Sequence, residues 1–65
     1  MKALIDLGFI EGDVFYTYEL QNGGFMLITK ATGNIYFREA SQDCLMQLSV
    51  FSSVEQVTNL LKALQ

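Results

Sequence analysis

Two glycine-marked turns divide residues 14–39 into three short runs, and this spacing constrains the fold more than any other feature of the chain. The runs, residues 14–20, 25–31 and 34–39, are rich in the aromatic and β-branched residues that strands favour. Asn22-Gly23 is the preferred pair for a two-residue type I′ hairpin. Thr32-Gly33 fits a three-residue loop with Gly33 in the left-handed bulge position. We therefore predict three consecutive antiparallel strands.

The two turns also predict which residues face each other. The first turn sets Leu20 opposite Phe25, and the second sets Leu27 opposite Phe37. Side chains alternate between the faces of a sheet, so this register defines one apolar face, the core face. Its predicted members are Val14, Tyr16, Tyr18, Leu20, Phe25, Leu27, Ile35 and Phe37. A slip of one residue at either turn would mix the two faces.

The C-terminal residues 52–65 show the clearest helical pattern. Ser52 and Glu55 have the spacing of a capping box. One apolar stripe at helical spacing follows, formed by Val54, Val57, Leu60, Leu61 and Leu64. The pattern predicts a helix that covers the core face.

Residues 44–51 fit either a strand or a helix. Leu45, Leu48 and Phe51 suit one helix face, whereas the alternation over 46–50 favours a strand. We prefer the strand. A two-residue turn at Ser41-Gln42 would then add four residues to the core face, Cys44, Met46, Leu48 and Val50.

The N-terminal residues 2–7 form either a short helix or a strand. A helix would end at Gly8, with Phe9 making the hydrophobic contact that often follows a helix-terminating glycine. The predicted fold class is therefore α+β. It is a single domain over residues 1–65, a four-stranded antiparallel meander with a C-terminal helix, and a short N-terminal helix as an option, on one face.

The opposite side of the sheet, the outer face, carries an unusual mixture of residues. A solvated sheet face should be mostly polar. The predicted register instead places apolar and basic side chains together there, as a candidate interaction face of Phe15, Met26, Ile28, Lys30, Tyr36, Arg38 and Leu45. Exposed apolar clusters mark interaction sites. The alternative is that scattered exposed apolar residues are ordinary.

The small size of the chain also favours a partner. A domain of 65 residues is marginally stable, and such domains lean on disulfides, metals, oligomers or unusually good packing. Cys44 is the single cysteine and there is no histidine, so an internal disulfide is excluded and a zinc site is not expected. We read Cys44 as a buried core thiol. With 51% hydrophobic and 17% charged residues, self-association or a protein partner is favoured.

Several function classes are not expected. Without histidine, general acid–base chemistry would fall to carboxylates or tyrosine, and no paired acids stand out, so we expect no enzyme and no cofactor. Asp6, Glu11 and Asp13 lack the spacing of a calcium loop. The net charge of −3 argues against nucleic acid and anionic membranes as partners. No signal sequence or membrane span is recognised, and a cytoplasmic location is the expectation.

The sequence therefore predicts a small non-enzymatic binding protein. It would act through protein–protein contacts of its outer face, as a homodimer or larger assembly, and serve as an inhibitor or adaptor. The alternative is a protein that binds or sequesters a small nucleotide-like ligand at a subunit junction. Phe15 and Tyr36 beside Lys30 and Arg38 loosely resemble a base-stacking surface, but Glu19 lies among them.

Overall fold

A computed structural model describes residues 2–64 and confirms the α+β fold class. The elements are α1 Lys2–Leu7, β1 Ile10–Glu11, β2 Phe15–Glu19, β3 Phe25–Thr29, β4 Asn34–Arg38, β5 Met46–Val50 and α2 Val54–Leu64. The strands form one antiparallel sheet in the order β1-β2-β3-β4-β5. The two-residue edge strand β1 is an addition to the predicted four-stranded meander. The open questions are also resolved, because residues 2–7 are helical and 46–50 are a strand.

Both helices contribute to one core on the same face of the sheet. Leu4 of α1 and Val57 and Leu61 of α2 are buried together with the inward side chains of the strands. The strand and loop residues buried with them are Phe9, Tyr16, Leu20, Met26, Ile28 and Ile35. Within residues 2–64 no helix is both long and apolar enough to cross a membrane.

The end of α1 has the predicted form. Gly8 has a positive φ of 114° and its N–H donates to the carbonyl of Ile5 at 3.0 Å. The N–H of Phe9 then donates to the carbonyl of Leu4 at 3.0 Å, and the Phe9 ring enters the core. The glycine thus turns the chain so that an apolar side chain can return to the core.

The first hairpin has a three-residue loop, residues 21–23, and the predicted two-residue type I′ turn is wrong. The Leu20 N–H donates to the Gly24 carbonyl at 2.8 Å, and the Gly23 N–H donates to the Leu20 carbonyl at 3.0 Å. Gly23 has a φ of 88°, but Asn22 does not have the positive φ that a type I′ turn needs. The Asn22 side-chain oxygen instead accepts a bond from the Gly24 N–H at 2.9 Å.

The second hairpin has a four-residue loop, residues 30–33, where three residues were predicted. Gly33 does adopt the predicted left-handed conformation, with a φ of 74°. Its N–H donates to the Thr29 carbonyl at 2.9 Å, and the Asn34 N–H donates to the Thr29 hydroxyl oxygen at 3.0 Å. The Thr29 side chain therefore closes the longer loop.

These two loops displace β3 by one residue relative to both neighbouring strands. Tyr16 lies opposite Ile28, which lies opposite Ile35. The two errors in loop length cancel between β2 and β4, so both strands keep their predicted faces. Only β3 is reversed. Met26 and Ile28 are buried at 0% and 3% exposure, so their predicted place on the outer face is wrong.

The edge strand β5 departs further from the prediction. Its ladder with β4 contains a bulge between Ile35 and Tyr36. Leu48 packs against the core as predicted, whereas Met46 and Val50, predicted on the same face, are exposed. A loop over 39–45 replaces the predicted turn at Ser41-Gln42.

Two other residues predicted in the core are exposed. Cys44 lies in the 39–45 loop, outside any strand that could turn it inward, so its prediction as a buried thiol is wrong. Val14 precedes β2 and is 60% exposed, so its predicted place in the core is also wrong.

The start of α2 is capped one residue later than predicted. The Ser53 hydroxyl oxygen accepts a bond from the Gln56 N–H at 3.1 Å, so Ser53 and Gln56 replace Ser52 and Glu55 in the cap. The Gln56 side-chain oxygen accepts from the Ser52 N–H at 2.8 Å. Its amide nitrogen donates to the Val50 carbonyl at 3.0 Å. The Phe51 N–H belongs to the same peptide unit and donates to the Gly33 carbonyl, next to β4. Because the C=O and N–H of one peptide unit point in opposite directions, the Val50 carbonyl points away from β4.

Candidate interaction face

The reversal of β3 changes the composition of the outer face but preserves its mixed character. Phe25 and Leu27 occupy the places predicted for Met26 and Ile28. One row across the sheet reads Thr17, Leu27, Tyr36 and Gln47, and the next reads Glu19, Phe25 and Arg38. Both helices belong to the core on the other face, so neither covers these rows.

A shallow open groove of about 440 Å³ lies in this face. Its apolar walls are Phe15, Phe25, Leu27 and Leu45, and Arg38 and Asp43 contribute its charged groups. Leu45 comes from the loop before β5 and is 44% exposed. The groove therefore combines apolar walls with one cation and one anion.

Arg38 has an incomplete environment. Its guanidinium carbon lies 5.4 Å from the ring centroid of Phe25, a cation–π arrangement. The Arg38 Nε atom is buried, and no hydrogen-bond partner reaches it from residues 2–64. Within the same residues, the ion pair formed is between Lys30 and Glu11, and none involves Arg38. A carboxylate from outside the chain could pair with the charge of the guanidinium, although it could not reach the buried Nε.

Lys30 does not join Arg38, contrary to the predicted interaction face. It follows β3 on the core-face side, where its Nζ lies 5.3 Å from the ring centroid of Tyr16. Its Nζ also lies 2.6 Å from a carboxylate oxygen of Glu11 at the β1 edge. Through this hydrogen bond, Lys30 lowers the pKa of Glu11, and Glu11 raises the pKa of Lys30. The charge of Lys30 therefore pairs with Glu11 of β1 and is not part of the outer face.

Four residues of the predicted interaction face lie on the outer face, Phe15, Tyr36, Arg38 and Leu45. The Tyr36 hydroxyl accepts a bond from the Asn34 side-chain amide at 3.2 Å. Phe25 and Leu27 were missed, because their placement depends on a loop length that Asn22-Gly23 leaves undecided. Assigning three residues to the first loop would have placed Phe25 and Leu27 on the outer face.

The polar groups of the groove are suited to recognition. They comprise a guanidinium, a carboxylate and the Thr17 hydroxyl. In the described residues, no group of three cysteine or acidic side chains is placed to hold a metal ion. Comparison of the chain with protein-family models, curated proteins and solved structures found no match.

Proposed function

We propose that this protein is a small non-enzymatic binding protein that acts through protein–protein contacts of its outer face. The observation that carries the proposal is an uncovered sheet face that combines apolar walls with an arginine that has no ion-pair partner within residues 2–64. A solvated antiparallel sheet face would instead alternate cleanly with the core face and be polar.

The residue types on the face support contact with another protein. Aromatic residues and arginine are enriched in the centres of protein interfaces, whereas lysine is depleted. Phe15, Phe25 and Tyr36 surround the centre of the outer face, and Arg38 stacks on Phe25. Lys30, which would be unfavourable at such a centre, is held elsewhere by Glu11. A protein with this surface would act by occupying a partner, as an inhibitor or adaptor does.

The groove also supports a second candidate function, the binding of a small anionic ligand with a flat apolar part. Its volume of about 440 Å³ falls within the range of small-molecule sites, about 300–1,000 Å³. Arg38 would bind the anionic group of the ligand, and the ring of Phe25 would stack on its flat apolar part. Native mass spectrometry of protein purified from its host would show a retained ligand as added mass.

A photo-crosslinking experiment tests the proposed function directly. A photoreactive phenylalanine analogue at Leu27, on the outer face, should yield covalent protein adducts in living cells. The same analogue at Ile10, which is 73% exposed on the opposite edge strand, is the matched control. Circular dichroism would show that both variants keep the fold.

Adducts at position 27 and not at position 10 would support contact through the outer face. Intact mass would show whether each adduct contains a second copy or another protein. Equal labelling at both positions, or none at position 27, would overturn the proposal.

A further inference from the structure

The strands of the outer face carry two opposite charges that do not meet within one chain, in addition to Asp43 of the 39–45 loop. Glu19 and Arg38 lie on β2 and β4, with Phe25 of β3 between them in the same row. Two strand spacings separate their backbones by about 10 Å. Consistent with this separation, the ion pair found within residues 2–64 does not involve either residue. Each charge is therefore available to a group from outside.

The positions of these charges are related by a simple symmetry. A two-fold rotation about an axis parallel to β3, lying in the interface, places a second sheet face to face with the first. This rotation exchanges β2 and β4 and leaves β3 facing itself. Glu19 of each copy then meets Arg38 of the other, while Phe25 and Leu27 each face their own counterparts. Such reciprocal contacts are the rule in two-fold dimers.

We infer that the occupant of the outer face is a second copy of this chain, docked about that axis. The inference rests on the proposed function and adds the partner and its orientation. Glu19 of the second copy supplies a carboxylate to the Arg38 guanidinium, which has no ion-pair partner within residues 2–64. The aromatic and aliphatic side chains of β3 provide the apolar contact between the two charge pairs.

A different rotation does not satisfy the charges. An axis across the strands would stack β2 on β2 and β4 on β4, so that neither Arg38 would face a Glu19. A foreign acidic segment would complete Arg38 but would leave Glu19 without a partner. The pairing about an axis along β3 is the arrangement that satisfies both charges at once.

The size of the face sets the expected strength. Four strands of five residues span roughly 19 by 17 Å from ordinary strand dimensions. A standard interface buries about 800 Å² of accessible surface on each partner, which is about a fifth of the 4168 Å² that this chain exposes to solvent. The projected area of the face, about 320 Å² from these dimensions, is well below that value even with Leu45 beside it. We therefore expect a concentration-dependent dimer rather than a permanent one.

A charge-swap experiment tests the orientation. Glu19→Arg puts two cations in the row and Arg38→Glu puts two anions there, while Asp43 of the neighbouring loop is unchanged. Each variant alone should dimerise at least about tenfold more weakly than the wild type, since both contacts become repulsive. An equimolar mixture should form a heterodimer, because both contacts become complementary again. Sedimentation equilibrium over a concentration series measures all three affinities.

The mixing step separates intermolecular from intramolecular effects. Loss of a contact within one chain would weaken each variant and would not be restored by mixing. Circular dichroism checks that each variant is folded, and the milder pair Glu19→Lys and Arg38→Asp replaces any variant that is not.

The possible failures are distinct. A wild-type dimer without rescue in the mixture would overturn the orientation and leave the proposed function standing. A wild-type monomer whose position 27 crosslinks to another protein would overturn the second copy as occupant and again leave the proposed function standing. A monomer without crosslinks at position 27 would overturn both.

Discussion

Ile28 lies directly opposite Tyr16 on the ladder between β2 and β3, and both side chains are buried in the core. Its neighbour Leu27 points to the outer face. We therefore expect Ile28→Ala to lower the free energy of unfolding by about 2–5 kcal/mol, because it leaves a cavity. Leu27→Ala should cost about 1 kcal/mol or less at concentrations where the protein is monomeric.

Urea unfolding followed by circular dichroism measures both effects. If Ile28→Ala does not fold, Ile28→Val provides a milder variant, with an expected cost of about 0.5–1.5 kcal/mol. A larger cost at Leu27 than at Ile28 would contradict the register of β3.

The cap of α2 gives a second matched pair, at two adjacent serines. Ser53→Ala removes the acceptor of the Gln56 N–H and should cost about 1 kcal/mol of unfolding free energy. Ser52→Ala should cost less, because the Ser52 N–H still donates to the Gln56 side chain after the hydroxyl is lost. Thermal or urea unfolding compares the two. Equal costs would indicate that the cap is shared by both serines.

The ion pair between Glu11 and Lys30 predicts a pH dependence at the β1 edge. The folded-state pKa of Glu11 lies below its ordinary value of 4.5, chiefly because of the hydrogen bond from Lys30. Its stabilising contribution is therefore present above that ordinary value and is lost as the pH falls through the lowered pKa. The pKa of Lys30 is raised above 10.5, chiefly by its hydrogen bond to Glu11, so its contribution is lost only as the pH rises through that raised value.

Carboxyl carbon chemical shifts in an NMR titration measure the Glu11 pKa directly. Lys30→Gln should return it toward the ordinary value, whereas Lys62→Gln on α2 should leave it unchanged. An unchanged Glu11 pKa in Lys30→Gln would contradict the assigned cause.

The left-handed backbone at Gly23 gives a prediction for the first loop. Gly23→Ala should cost about 1–2 kcal/mol, since φ is 88° there. An added Cβ would also lie 3.2 Å from that of Ala40. Gly23→Asn should cost less, because asparagine visits this region more readily and meets the same neighbour. The difference between the unfolding free energies of the two variants, measured in urea, reports the cost of the left-handed backbone. Equal unfolding free energies would show that the contact with Ala40 dominates.

The elements of this fold follow from local patterns, but the position of β3 does not. Asn22-Gly23 fits both a two-residue loop and the last two positions of a three-residue loop. The sequence of β3 cannot choose between them, because Phe25, Met26, Leu27 and Ile28 offer two apolar residues to either face. The choice depends on how Met26 and Ile28 fit against Val57 and Leu61, which is a property of the packed core.

The outer face was partly predictable for the same reason. Phe15, Tyr36 and Arg38 belong to strands whose faces do not depend on the disputed loop lengths, since the two errors cancel between β2 and β4. Phe25 and Leu27 belong to the strand that moved. Lys30 was misplaced with that strand, and its attachment to Glu11 could not be foreseen without the short strand β1.

The bond from Gln56 to the Val50 carbonyl links the first turn of α2 to the outer edge of β5. That strand contains no charged residue and no proline, the features with which proteins commonly block sheet growth at an edge. Fraying of the helix start would release the carbonyl and present an edge on which further chains can add. We therefore expect agents that loosen the N-terminal turn of α2 to promote aggregation through this edge before the core unfolds.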